Sequence, residues 1–277
     1  MSEHSYVETA EEARRNPEYV RALQELLFQA ADDDYILAYR GAEWLGLAPH
    51  IEEDVAFSSM SQDMMGHAAM LYEMLEELGA GKADDLAHMR SPDAFRNAIL
   101  IERPNGTGDY ADQPHYDWAY AIARYSLYGV FKQIRLEALA YSTYVPLAQA
   151  AGKMQREHHY HVRYWHMWFK RLASSTDDAR DRLNAALEQV WSDIGELFLL
   201  GRASASIVGF GLIAGEDDIS QRWMNATRNM FAANGIDWPG DWGVPVQKGR
   251  EGQHTDDLAQ AVSTLSEVYR LDPAASW

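Results

Sequence analysis

At 277 residues and 31.4 kDa, with 47% apolar and 24% charged residues, the chain has the composition of a globular protein. A chain of this length buries about three quarters of its surface without staples. It contains no Cys, which excludes disulfides, a thiolate nucleophile, Fe–S clusters and Cys-ligated zinc. Its formal charge of −18, from 24 Lys and Arg against 42 Asp and Glu, argues against nucleic acid or an anionic membrane as main partner, since cationic patches grip both.

The first residues, MSEHSYVETAEEARR, are polar and acidic, unlike a signal peptide, and no apolar run reaches the roughly 18 residues that span a bilayer. A cytoplasmic location is the expectation. Arg outnumbers Lys 19 to 5, a balance that fits either a salt-adapted protein or a merely acidic cytosolic one.

Helical periodicity dominates, and no alternating strand or 20–50-residue repeat stands out. Pro17 suits a first helical turn, and residues 18–46 carry Leu23, Leu26, Leu27, Ala30, Ile36, Leu37, Ala38 and Leu45 at helical spacing. A second helix is expected over 51–78, with Met60, Met64, Leu71 and Leu75 inward and Gly79 as its stop. Residues 80–116 read as a long irregular connection, in which SPDAFRNAIL (91–100) suggests a short helix capped by Ser91 or Asp93. Helices follow over 117–148 and 152–174, with a break near Val145-Pro146, then over 176–201 from a Thr/Asp cap, and over 217–234. Residues 235–253 form a Gly/Pro/Trp loop, after which Thr255 caps a last helix over 256–270.

Four long helices with a long crossover between the second and third are the pattern of a ferritin-like bundle. The expected architecture is all-α: a single domain over 1–277, with a bundle core at about 18–174 and a helical extension over 176–277. Such bundles hold two irons with one carboxylate from each of two helices and a Glu-x-x-His from each of the other two. Residues i and i+3 share a helix face, so one Glu and one His reach the same metal pair.

Here that set is degraded. The second helix reads QDMMGH, with His67 preceded three residues earlier by Met64, a poor ligand for oxidised iron, and four earlier by Asp63. The fourth reads EHHYH, with His161 preceded by His158 and Glu157. About 30 residues upstream of Met64, as expected for mid-helix positions of antiparallel neighbours, the first helix offers Asp34 in the run Asp32-Asp33-Asp34. The third offers no acid near Arg124 to Leu127, and Glu137 lies three or four turns away. The literal Glu251–His254 pair sits in a Gly-rich loop without a helix to orient it. Two readings follow: an unusual metal site built from Asp34, Asp63, His67, Glu157, His158 and His161, or a relic whose polar groups are satisfied by hydrogen bonds and ion pairs. The relic reading is favoured.

Trp118, Tyr120, Tyr125, Tyr128, Trp165 and Trp168 recur at helical spacing and read as core or partner interface ahead of a substrate channel. Glu52, Glu53 and Asp54 open a helix and complement its dipole. The 11 Met residues read as fillers of an irregular interface. No phosphate-cradling loop or G-x-S-x-G is present.

The segments ILAYRGAEWLGLAPHIEEDVAFSSMSQDMMGHA (36–68), DDLAHMRSPDAFRNAILIERPNG (84–106), EHHYHVRYW (157–165) and KGREGQHTDDL (248–258) together resemble the PaaC family, the C subunits of phenylacetyl-CoA 1,2-epoxidase. The resemblance runs from about residue 24 to Trp277; residues 1–20 and 201–245 match poorly. His67 departs from it, standing where the family often has Gln, and His158 is an additional imidazole. The resemblance implies a ferritin-like, non-catalytic partner of the epoxidase's catalytic, di-iron subunit. The complex would convert phenylacetyl-CoA to its ring-1,2-epoxide with dioxygen and NADPH electrons delivered by a separate reductase. It implies no cofactor in this chain and a di-iron centre in the partner. The implied partners are that catalytic ferritin-like subunit and the other epoxidase subunits, with a homodimer as a further alternative. The rival function is a di-metal oxygenase or oxidase acting in its own right. A third reading is a protein that holds CoA near the partner's site.

Overall fold

The computed structural model describes residues 5–110, 112–243 and 246–275. It is an all-α, ferritin-like protein with one small hairpin. The elements are α1 (Ala10–Ala13), α2 (Pro17–Ala42), α3 (Ile51–Glu77), α4 (Ala83–His88), α5 (Ile99–Glu102), β1 (Gly106–Asp109), β2 (Asp112–Tyr116), α6 (Trp118–Leu139), α7 (Val145–Ser174), α8 (Asp177–Trp191), α9 (Ser204–Gly209), α10 (Glu216–Ala233) and α11 (Asp256–Leu271). The chain forms two compact units. The first holds residues up to Thr9, Asn105–Leu200 and Ser204–Val246; the second holds Ala10–Pro104, Gly201–Ala203 and the chain from Gln247 on.

The second unit is built on the α2–α3 hairpin. Asn16 caps α2 by accepting from the backbone N–H groups of Glu18 and Tyr19, and Pro17 fills the first helical position, where no N–H is needed. Leu23, Leu26, Leu27 and Ala30 of α2 and Phe57, Met64, Leu71 and Leu75 of α3 are buried. The hairpin's fit therefore follows from the apolar stripes visible in the sequence. Thr255 caps α11 through the N–H of Asp257, as its sequence suggests.

The first unit is built on α6 and α7. Asp117 caps α6 through the N–H of Tyr120, and Thr176 caps α8 through that of Ala179. Tyr120, Tyr125, Tyr128, Trp165 and Trp168 are buried, with Tyr125 and Trp165 centroids 4.8 Å apart and Trp118 edge-on to Trp168 at 5.2 Å. The stripe is core packing. A second aromatic knot gathers Trp191, Trp223, Trp238 and Trp242 with Phe198 and Phe231. It explains Gly195, where a Cβ would stand 2.4 Å from Trp242 Cδ1.

Five expectations need correction. The helix expected over 117–148 ends at Leu139, and the one expected from 152 begins at Val145. Pro146 lies in the first turn of α7 and starts it. The break comes earlier, where Thr143 N–H donates to the Gly211 carbonyl and Val7 bridges Thr143 and Val145. The helix expected over 176–201 ends at Trp191, and a 3₁₀ turn follows over Ile194–Phe198. The capped helix expected in SPDAFRNAIL is a 3₁₀ turn, Pro92–Ala94, with no side-chain cap, followed by α5. Its backbone is claimed from outside: Arg96 N–H donates to Asp32 and Ala98 N–H to Asp33. The sequence shows no alternating strand, yet β1 and β2 pair antiparallel, Gly106 opposite Tyr116 and Thr107 opposite His115. A Cβ on Gly106 would lie 2.2 Å from the His115 carbonyl oxygen, so the close approach requires glycine.

Candidate functional site

The acidic run at the centre of α2 is wholly buried, and each of its three carboxylates has a different partner. Asp32 accepts from Tyr72 Oη at 2.6 Å, from both terminal nitrogens of Arg90 at 2.5 and 3.1 Å, and from Arg96 N–H at 2.7 Å. The Arg90 guanidinium also lies 4.0 Å from the Phe95 ring centroid and 4.9 Å from that of Phe28. Burial works against the Arg90 cation, but the Asp32 carboxylate and the Tyr72 hydroxyl outweigh it, and the affinity of Arg90 for its proton is raised. The Tyr72 phenol is pushed well up, by burial first and by the Asp32 charge second.

Asp33 takes a bidentate pair from Arg250, 2.9 Å on each side, and Ala98 N–H at 3.0 Å. Arg250 donates further to the carbonyls of Arg96 and Gln29. A third buried carboxylate, Glu102 at the end of α5, accepts four hydrogen bonds. They come from Asn97 Nδ2 (2.9 Å), His254 Nδ1 (2.7 Å), Thr255 N–H (2.7 Å) and Thr255 Oγ1 (2.8 Å). His254 Nε2 faces the Phe95 carbonyl at 3.0 Å. Both ring nitrogens therefore face acceptors.

These contacts make a polar scaffold that ties the 89–103 connection and the segment before α11 onto α2. Every oxygen of Glu102 is engaged, and none is left for a metal. The Glu251–His254 pair separates in the fold: His254 turns to Glu102, and Glu251 pairs with Arg202 at 3.0 Å.

The degraded di-iron positions fall in both units. In the second, Asp34 Oδ2 and His67 Nδ1 come within 3.8 Å, both buried, so the structure brings this predicted pair together. Met64 is buried and Asp63 half-buried. In the first, His158 and His161 are buried with ring centroids 5.6 Å apart, and Glu157 is half-buried. His158 Nε2 lies 2.8 Å from the Gly129 carbonyl, so that nitrogen carries a proton and offers no lone pair. Arg124 is fully buried and donates to Asn105 Oδ1 at 2.5 Å, with its guanidinium over the rings of Tyr120 and Tyr125. Glu137 is drawn to Arg222 at 2.5 Å and Gln133 at 2.9 Å.

A carboxylate-bridged di-iron centre needs hard oxygen donors and open imidazole nitrogens. A buried thioether and a buried guanidinium supply no such donor. Among the described residues, no three His, Cys, Asp or Glu side chains form a group that could hold a metal ion.

The sequence reading misses Arg90, Arg250, Asn97, Glu102 and Thr255 as site residues. Their signal is present: all five lie in the segments 84–106 and 248–258 that carry the family resemblance. Local spacing gives no reason to join those segments to Asp32 and Asp33.

A second polar cluster carries a pH consequence. Tyr35 Oη meets His88 Nδ1 at 3.0 Å, Tyr269 stacks on the His88 ring at 4.9 Å, and Arg270 donates to the His88 carbonyl. Burial, ahead of the nearby Asp84 charge that opposes it, lowers the His88 pKa below its ordinary 6.5. The unfolded chain thus takes up this proton at higher pH than the folded one. The His88 contribution is present above about pH 6.5 and declines as pH falls below it. His88→Gln, which keeps an acceptor for Tyr35, is expected to lose less thermal stability than wild type between pH 7.5 and pH 5. Parallel melting curves across that range would refute this.

The family model of the phenylacetic acid catabolic proteins matches residues 1–277 of the chain. The chain is similar to the C subunit of the 1,2-phenylacetyl-CoA epoxidase of Escherichia coli (strain K12). The two are 27% identical over 252 residues, covering 89% of this chain and 95% of that protein. No helix among the described residues is long and apolar enough to cross a membrane.

Proposed function

Since the chain belongs to the family of phenylacetic acid catabolic proteins, we propose that it serves as the structural, non-catalytic subunit of a phenylacetyl-CoA 1,2-epoxidase. In this reading it supports a separate ferritin-like protein that carries the two irons, and it works in the cytoplasm. The observation that carries the proposal is that Arg124, in the stretch of the third helix where the ligand pattern calls for a carboxylate, is a fully buried guanidinium. A guanidinium is no metal ligand, and Met64 stands where the pattern of the second helix carries an oxygen donor. The similarity to an epoxidase C subunit supports the same reading.

No chemical step is assigned to this chain. Its polar groups hold the fold: Asp32, Asp33 and Glu102 are committed to arginine, histidine and backbone donors. Elemental analysis of chain purified from iron-rich medium is expected to find less than about 0.1 iron per chain, while the complex assembled with the other subunits retains iron and epoxidase activity. Two irons per purified chain, with an oxo-to-iron absorption band, would overturn the proposal in favour of an oxygenase active in its own right.

A further inference from the structure

We infer that the solvent-facing side of α7 is a docking surface for an acidic protein face, presented by another member of the complex proposed above. The inference rests on that reading. From Lys153 to Arg171 the exposed residues of α7 include Lys153, Arg156, Arg163, Lys170 and Arg171. The only acid in this stretch, Glu157, is half-buried. The stripe therefore sets five cations along about 27 Å of helix, in a chain of net charge −18.

Elsewhere on the surface, Arg15, Arg182, Arg202, Arg222 and Lys248 all reach a neighbouring carboxylate. Among the described residues, none of the five α7 cations is ion-paired; Arg156 donates only to the Gly152 carbonyl, and Arg171 lies over the Trp168 ring. Other exposed cations, such as Arg21, Lys82 and Arg228, also stand without an ion pair among the described residues, so it is the run of five along one helix that sets α7 apart. In an acidic protein, intramolecular pairing is the cheap arrangement, so an unneutralised stripe marks charge directed at something else.

The apolar content of the stripe selects the occupant. Tyr160 and Met167, 71% and 50% exposed, lie one turn on either side of Arg163. Exposed Tyr, Met and Arg on one face is the composition of a protein interface, with an apolar centre and a charged rim. A small anionic ligand needs a concave site, and a helix face is convex. A twofold pairing of two copies through this face would set like cations against each other. The occupant with matching chemistry is a partner protein with carboxylates around an apolar patch.

The lysines make the test direct, because the chain has only five: Lys82, Lys132, Lys153, Lys170 and Lys248. The probe is the complex assembled by co-expression with the other epoxidase subunits, compared with the isolated chain. Acylation of Lys153 and Lys170 by an amine-reactive reagent is expected to fall about tenfold in the complex. A zero-length carbodiimide is expected to link one of them to an Asp or Glu of a partner. The double variant R156E/R163E, both positions exposed, is expected to melt like wild type alone yet assemble at least tenfold more weakly, with raised salt mimicking the loss. Undiminished reactivity of both lysines in an assembled complex, or wild-type assembly of R156E/R163E, overturns the inference and leaves the structural-subunit reading standing. Protection of the lysines by coenzyme A alone also overturns it, in favour of a phosphate site. Failure of the wild-type chain to assemble overturns both.

Discussion

Replacing Arg250 by Met is expected to destabilise the protein by about 3–5 kcal/mol, the cost of leaving a buried charge without its partner. Asp33 is fully buried, and loss of Arg250 strips both of its guanidinium bonds while the Ala98 N–H stays in place. Met fills similar volume, so the loss reports the charge rather than a cavity. The carbonyls of Gln29 and Arg96 lose a donor as well. In a chain of this size the thermal midpoint is expected to drop by about 10 °C. Adding Asp33→Asn should recover part of the loss, because the amide is neutral and its oxygen still accepts from Ala98. The measurement is urea unfolding of wild type, R250M and R250M/D33N. A loss below about 1 kcal/mol in R250M, or a double variant weaker than the single one, would show that the pair is not the tie described.

Glu102→Leu is expected to cost about 4 kcal/mol or more. It removes one acceptor group and strands four donors at once: the Asn97 amide, His254 Nδ1, and the Thr255 N–H and hydroxyl. Each buried donor left without a partner costs about 1–3 kcal/mol, with the lower end expected where relaxation admits water. Thr255 is also the cap of α11, so the loss should appear first in that helix. Hydrogen exchange is the discriminating measurement: amides of α11 should exchange faster in E102L while those of α6 keep their protection. Uniform acceleration along the whole chain, or none, would contradict the assignment of Glu102 as the post that anchors the segment before α11.

The long helices are legible because their determinants are local. Asn16, Asp117, Thr176 and Thr255 cap helices through N–H groups two or three residues away, and the apolar stripes of α2 and α3 repeat within a few turns. The degraded metal set is legible for the same reason, since Glu-x-x-His is an i, i+3 pattern and Met64 and His158 interrupt it within one turn. By contrast, the reading of SPDAFRNAIL as a helix relies on a cap and misses that Asp32 and Asp33 take its N–H groups. The β1–β2 hairpin escapes because it rests on close backbone approach at Gly106, not on alternating side chains.

By itself, the sequence determined the all-α class, most helix starts and the absence of thiol chemistry. Only the tertiary structure decided which carboxylate of the run at 32–34 meets which partner. Arg90 lies 58 residues from Asp32, Arg250 lies 217 from Asp33, and His254 lies 152 from Glu102. No local spacing relates residues so far apart. Each buried carboxylate must nevertheless be neutralised, and its partner is whichever cation the packed connections bring within about 3 Å.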